Sequence, residues 1–244
     1  MRNALILILL IFFSSCEKSP LCDCLKGTGS VVTEERSSVP FHYVELYNKA
    51  DIHYHYSNEY RITVTAGKKL VEKVTTEISN GRLTIENKNK CNWVRNFSNK
   101  FVVDIYSPGI DTIEVYNSSG NIYCHDTLAS SAFLFESWSS SGDYHLKLKC
   151  GSANIALQTG PASLYAGGKV SVAYLWNQGQ GIYDALHLNA DDIYTTNRGM
   201  NDQYINVNNV LYARIEFAGN IHYKGNPGSL RLENAGGGQF IHLQ

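Results

Sequence analysis

Glu216–Pro227 reads EFAGNIHYKGNP: a corner of small residues, a short polar residue, then a β-branched or aromatic run. The same plan recurs upstream as NSSGNIYCHD over Asn117–Asp126 and as WSSSGDYHLKLK over Trp138–Lys149. Corners built on Gly and Ser fall at 118–120, 139–142, 151–152, 167–168, 179–181, 198–199, 218–219 and 236–238. They are spaced by about twenty residues or half that, the range that marks a solenoid. When coil stacks on coil, each corner residue meets its equivalent above and below, and only a small residue lets the backbone bend there. The polar residue that follows (Asn121, Asp143, Asn154, Asn220) is suited to bonding backbone groups at the turn or to forming a polar ladder.

The runs between corners alternate. Ile122, Phe133, Phe135, Tyr144, Leu146, Leu148, Ile155 and Leu157 are expected to point inward, followed by Val170, Val172, Leu186, Leu188, Ile205 and Val207. The same reading puts Leu211, Ala213, Ile215, Phe217, Ile221, Tyr223, Leu230 and Leu232 inside. No window of this half sustains a 3.6-residue period. Upstream, Ile62, Val64 and Ala66 oppose Thr63 and Thr65, and Asn80-Gly81 between VTTEIS and RLTIEN predicts a type I′ hairpin. The expected fold class is all-β: a parallel β-helix-like solenoid with a more irregular β-rich N-terminal part.

Composition agrees with that class. Sixteen Tyr and twenty Gly with 18% charged residues favour strands joined by tight turns. A formal net charge of −1 provides no basic field for a phosphate backbone, so nucleic acid is excluded as a partner.

Met1-Arg2 followed by ALILILLIFFSSC has the form of a signal segment, with an apolar run too short to span a bilayer of about 30 Å. Ser14-Ser15-Cys16 resembles a lipobox, which would make Cys16 a diacylated first residue; an ordinary secretory signal is the other reading. The expected organisation is a signal peptide over 1–15, a lipidated cysteine and spacer over 16–38, and a solenoid domain over 39–244. Two acyl chains would hold the chain on a membrane. Export permits disulfides. Cys22 or Cys24 with Cys91, and Cys124 with Cys150, are the pairings considered, and a Cys-x-Cys metal site lacks partners at zinc spacing.

The corner elements, the terminal AGNIHYKGNP and the upstream pattern CLKGTGSVVTEERSSVPFHYVEL…ADIHYHY…ITVTAGKKLVEKVTTEISNGRLTIENKNKCNWVR together resemble the head GIN domain family of putative autotransporter adhesins. That family is frequent among envelope lipoproteins of Bacteroidetes. The resemblance spans about Cys24 to Leu243, and corners such as GSANI and RGMND depart from its Gly-Ser-Gly form. It implies a right-handed β-helix-like solenoid, exported and lipid-anchored, and it brings no catalytic residues with it.

Three site readings follow from the residues. His53-x-His55 would place two imidazoles on one strand face about 7 Å apart, which suits a metal if a neighbouring strand supplies a third ligand. Alternation against Ile52, Tyr54 and Tyr56 explains the pair as solvent-side residues, so no metal or cofactor is expected. Glycosidase chemistry needs two carboxylates about 5–10 Å apart. The clustered acids Asp143, Asp184, Asp191, Asp192 and Asp202 are better suited to turns. Tyr43, Tyr47, Tyr106, Tyr116, Tyr123, Trp138, Tyr165, Tyr174, Trp176, Tyr183, Tyr194, Tyr204 and Tyr212 exceed what a narrow interior holds, so some should line an outer face. Such a face suits stacking on sugar or gripping protein. The expected function is therefore non-enzymatic: an envelope lipoprotein binding a glycan or envelope protein. A carbohydrate-active enzyme and a purely structural component are the alternatives, and self-association through an open solenoid end is a further expectation.

Overall fold

The computed structural model describes residues 27–90 and 100–244. The expected signal segment, Cys16, Cys22, Cys24 and Cys91 lie outside the described residues. Among the described residues, seventeen strands form one hydrogen-bonded solenoid of about seven turns, with a single short 3-10 turn at Val71–Lys73. No helix among the described residues is long and apolar enough to cross a membrane.

The repeat half is built from β10 (Leu128–Trp138), β11 (Asp143–Leu157), β12 (Ser163–Asn177), β13 (Tyr183–Asn197) and β14 (Gln203–Ile215). Each pairs in parallel with the next, so Tyr144 stands beside Leu164, Leu164 beside Tyr183, and Tyr183 beside Gln203. Every coil has two legs. In β11, Tyr144, Leu146 and Leu148 point inward on the first leg, while Ala153, Ile155 and Leu157 do so on the second. The inward parity therefore switches at Gly151-Ser152. The half-period of the sequence pattern comes from these bends, so Gly151-Ser152 is a bend between legs, matched in β12 by Ser171-Val172, while Gly167-Gly168, opposite Lys147-Leu148, is a kink within a first leg; neither is a coil corner. Gly168 needs its missing side chain: its φ is +113°, and a Cβ would lie 2.0 Å from the Leu148 carbonyl oxygen. β15 (Ile221–Lys224), β16 (Ser229–Asn234) and β17 (Phe240–Leu243) finish the stack, β15 and β16 on the two legs of β14 and β17 on β15.

The true corners form a column of close approach. A Cβ on Gly120 would meet the Ala50 oxygen at 1.9 Å, and one on Gly142 the Gly120 oxygen at 1.9 Å. Two polar ladders accompany it. Asn121 accepts the Asp143 N–H at 2.9 Å and donates its own N–H to Asp51 at 2.8 Å; Asn220 accepts from Gln239 and donates to Asp202 in the same way. A second ladder, buried, ends the second legs: Asn177 Nδ2 donates to Asn197 Oδ1 at 3.1 Å, and each Asn oxygen also accepts the N–H of the glycine two residues on. Asn154 belongs to neither ladder, because it lies in a second leg and faces outward.

Five expected core residues are not buried: Leu186, Val172, Phe217, Leu230 and Leu232, the last half-buried on β16. Leu186 is the extra residue of a bulge, since Tyr165 pairs with Asp184 but Gly167 with His187. Val172 sits just past a bend and is half-buried. Phe217, 51% exposed, lies beyond the end of β14, and Leu230, 49% exposed, lies on β16, which pairs among the described residues with β14 alone.

The N-terminal half is not laid down in chain order. β2 (Tyr43–Tyr47) and β3 (Asp51–Tyr56) make one coil. β8 (Thr112–Tyr116) and β9 (Ile122–Cys124) stack on one side of it and lead into β10 and β11. On its other side lie β6 (Arg82–Asn87) and β7 (Val102–Ser107). Antiparallel strands then close this end: β4 (Arg61–Gly67) on β7, β1 (Val31–Arg36) on β4, and β5 (Val74–Ser79) on β6. The β5–β6 hairpin turns at Asn80-Gly81 with φ of 51° and 74°, as its sequence predicts. β1 carries the folded body to the N-terminal side of residue 39, inside the expected spacer.

Cys124 and Cys150 are buried free thiols, and burial pushes Cys124 up to about 12. They are not bridged. Tyr123 pairs with His145, which sets Cys124 level with Leu146, and Cys150 lies four residues, about 13 Å, further along. A disulfide tolerates no more than about 7 Å between Cα atoms.

Candidate functional site

Adjacent coils are about 4.8 Å apart, which is also a ring-stacking distance, so outward aromatic residues at equivalent positions must stack. On the first legs, His53 of β3, Tyr123 of β9, His145 of β11 and Tyr165 of β12 are successive register partners. His53 meets Tyr123 edge-on with centroids 5.2 Å apart, and Tyr123, His145 and Tyr165 lie nearly parallel at 5.2 and 4.8 Å. Two residues along, Tyr106, His55 and His125 stack at 4.8 Å per step, with the Arg61 guanidinium 3.7 Å above Tyr106. Tyr204 and His222 continue the theme near the other end, where His222 pairs with Asp202 at 2.7 Å.

Where the two rows meet, three imidazoles converge. The ligand atoms of His53, His55 and His125 all lie within 4.8 Å of one another, and His53 Nδ1 is 3.0 Å from His125 Nε2. His55 Nε2 contacts Asp104 Oδ1 at 3.2 Å, and Thr63 donates to the other oxygen of Asp104 at 3.4 Å. Burial above all lowers the His53 pKa, with His125 and His55 adding to it against Asp104 and Asp51. His53 and His55 are thus outward-facing as the alternation predicts, and the third ligand missing from their own strand comes from the next coil. The signal was present in the sequence. Aligning DIHYHY with NIYCHD on their shared isoleucine places His55 opposite His125, as the Tyr54–Cys124 pairing does in the structure.

The second legs carry a different face. Asn154, Tyr174, Tyr194 and Tyr212 are successive register partners. Tyr174 and Tyr194 stack at 5.4 Å with 50% and 39% of their surface exposed. Arg198 lies over Trp176 and Arg231 over Tyr212, each at 5.0 Å. Beside Tyr174 runs an open trough of about 570 Å³ lined by Asp111, Ser130, Ser131, Ser152 and Asn154 among others. Of the thirteen outer-face candidates Tyr183 alone is fully buried, and its hydroxyl donates to the Ile155 carbonyl at 2.8 Å.

Three of the five clustered carboxylates are occupied. Asp184 accepts the Leu186 N–H, Asp191 accepts Asn208 Nδ2, and Asp202 accepts from Asn220 and pairs with His222. A pair that sequence reading overlooked, Glu45 and Glu114, lies on adjacent strands. Glu45 holds Arg82 at 2.7 Å and Thr84 at 3.2 Å, while Glu114 accepts from the Tyr43 and Tyr116 hydroxyls. Both act as clamps between strands.

A family model described as "Putative auto-transporter adhesin, head GIN domain" matches residues 40–227. Among solved structures, a putative adhesin from Bacteroides fragilis superposes with a TM-score of 0.79 at 19% identity, over 88% of this chain and 97% of that one. A putative lipid binding protein from Parabacteroides distasonis gives 0.65 at 17% identity, and a putative adhesin from Parabacteroides merdae 0.63 at 18%. Each of those two matches covers 89% of this chain and 98% of the other. At these identities the likeness is one of fold. No curated protein matches the chain at a significant level.

Proposed function

The chain belongs to the head GIN domain family of putative auto-transporter adhesins, and on that premise we propose that it is a non-enzymatic binding protein of the cell envelope. It is exported, held on a membrane by lipid on Cys16, and grips glycan with the outward face of its second legs. One observation carries this reading: the exposed, stacked Tyr174–Tyr194 pair beside a trough lined with hydroxyl, amide and carboxylate groups. A pyranose ring offers an apolar face to an aromatic ring and hydroxyls to polar neighbours, and this arrangement meets both. A catalytic reading finds little support, because the paired carboxylates are committed to Arg82, Thr84, Tyr43 and Tyr116.

The test is a glycan-array screen of the full-length chain with turnover assayed on every hit. Binding without cleavage is expected, and Tyr174→Ala should weaken the best hit about tenfold, some 1.4 kcal/mol. Cleavage would move the assignment to enzyme, and an array without hits would redirect it to an envelope-protein partner. Metabolic labelling with palmitate, compared between the native chain and Cys16→Ser, tests the anchor.

A further inference from the structure

We propose that His53, His55 and His125 bind a single divalent transition-metal ion, zinc or copper, on the first-leg face, away from the tyrosine trough. The donor set selects the class of ion. Three imidazoles suit zinc and copper, whereas calcium and magnesium require oxygen ligands. Two ligands of a tetrahedral zinc ion, each at about 2.0–2.1 Å, stand about 3.3 Å from one another. His53 Nδ1 and His125 Nε2 are 3.0 Å apart and the third ligand atom lies within 4.8 Å, so the set is completed once His55 or His125 turns out of their 15° parallel stack.

The surroundings are those of a ligand site. Asp104 holds Nε2 of His55, which leaves Nδ1 of that ring for the ion, and Thr63 in turn steadies the carboxylate. A carboxylate behind a ligating imidazole fixes the ring and raises its basicity. The backbone is rigid as well. β3 is paired on both sides, the His125 N–H donates to the Tyr54 carbonyl at 3.0 Å, and Asp126 accepts the Tyr56 N–H at 3.0 Å. The Lys147 ammonium nearby donates to the His125 carbonyl at 2.9 Å. His125 is exposed, so the ion enters from solvent and keeps a fourth position for water or for a donor from a partner. The competing account is a hydrogen bond between two neutral imidazoles within a purely structural aromatic stack.

The experiment titrates the full-length chain, in detergent and stripped by chelator, with Zn²⁺ by calorimetry and with Co²⁺ by visible absorption. One ion per chain is expected, with Kd roughly micromolar or tighter and intense tetrahedral Co²⁺ bands. His125→Ala alters an exposed ring and should keep its thermal melt while losing affinity at least about tenfold. Asp104→Asn should weaken the site by about tenfold or more, as the loss of an outer-shell carboxylate does. Failure to bind Zn²⁺ at millimolar concentration would overturn the proposal. Binding unchanged by His125→Ala would overturn it equally, since the ion would then sit elsewhere, for instance on the cysteines.

Discussion

The repeat half stacks each coil on its immediate successor, whereas the N-terminal half builds its coils out of order. Asn177 bonds Asn197, 20 residues on; Asn121 bonds Asp51, 70 residues back. Loop closure penalises the longer span only slightly, about 0.6 kcal/mol per doubling of length, so the two halves differ in stability far less than their topologies suggest. The difference lies in what each can do alone. A repeat coil needs only its neighbour, while β2 and β3 are useless until both β6–β7 and β8–β9 have arrived. In return the N-terminal half ends in antiparallel strands that close its edge, whereas β16 and β17 leave the other end less covered.

The sharpest way to break this comparison is at the joint between the halves. Gly142→Val places a side chain against the Gly120 carbonyl, where even a Cβ lies at 1.9 Å, and should cost more than about 3 kcal/mol in urea unfolding or prevent folding. Gly237→Val, with nothing within 4 Å of its Cβ, should stay within about 0.5 kcal/mol. Similar losses at both positions would show that coil spacing at the corner is not what limits the stack. Next in size is the contrast between ladders. Asn197→Ala strips the acceptor of the Gly199 N–H and the donor to the Asn201 and Asn220 carbonyls in a buried corner, and should cost about 2–3 kcal/mol. Asn121→Ala, in the half-exposed ladder of the other half, should cost nearer 1 kcal/mol; equal costs would mean burial does not separate the two.

The smallest effect is a pH dependence. Burial works against the Asp202 carboxylate, yet the Asn220 amide and His222 together hold its pKa below the ordinary 3.8. A carboxyl depressed on folding contributes stability that is fully present above its unfolded value and is lost as pH falls through the folded one. Native chain should therefore lose stability below about pH 4 to a slightly greater degree than Asp202→Asn. Solvent screening keeps the increment small, since the Asp202 side chain is 31% exposed. Parallel acid-denaturation curves would sink the assignment.

What could be read from residues was local. Gly and Ser corners, alternating runs and Asn80-Gly81 announce stacked β coils and one hairpin, because steric clearance, pleat parity and positive φ act within a few residues. The family resemblance extended that reading along nearly the whole chain, and the family match bears it out over residues 40–227. The bend at Gly151 and the kink at Gly168 read as corners in the sequence because a kink and a coil corner ask for the same small residues. Leu186 reads as inward because a bulge leaves no mark in an alternating pattern. The candidate site was half visible: His53 and His55 share a strand face by pleat alone. His125 joins them only because β9 stacks on β3 in a fixed register, a pairing decided by coils far apart in the chain. Composition and periodicity thus determined that the chain coils and what lines each coil. Which coils touch, and so which side chains meet on the outer faces, was decided by tertiary packing, because register between distant strands depends on the shared core and not on any one segment.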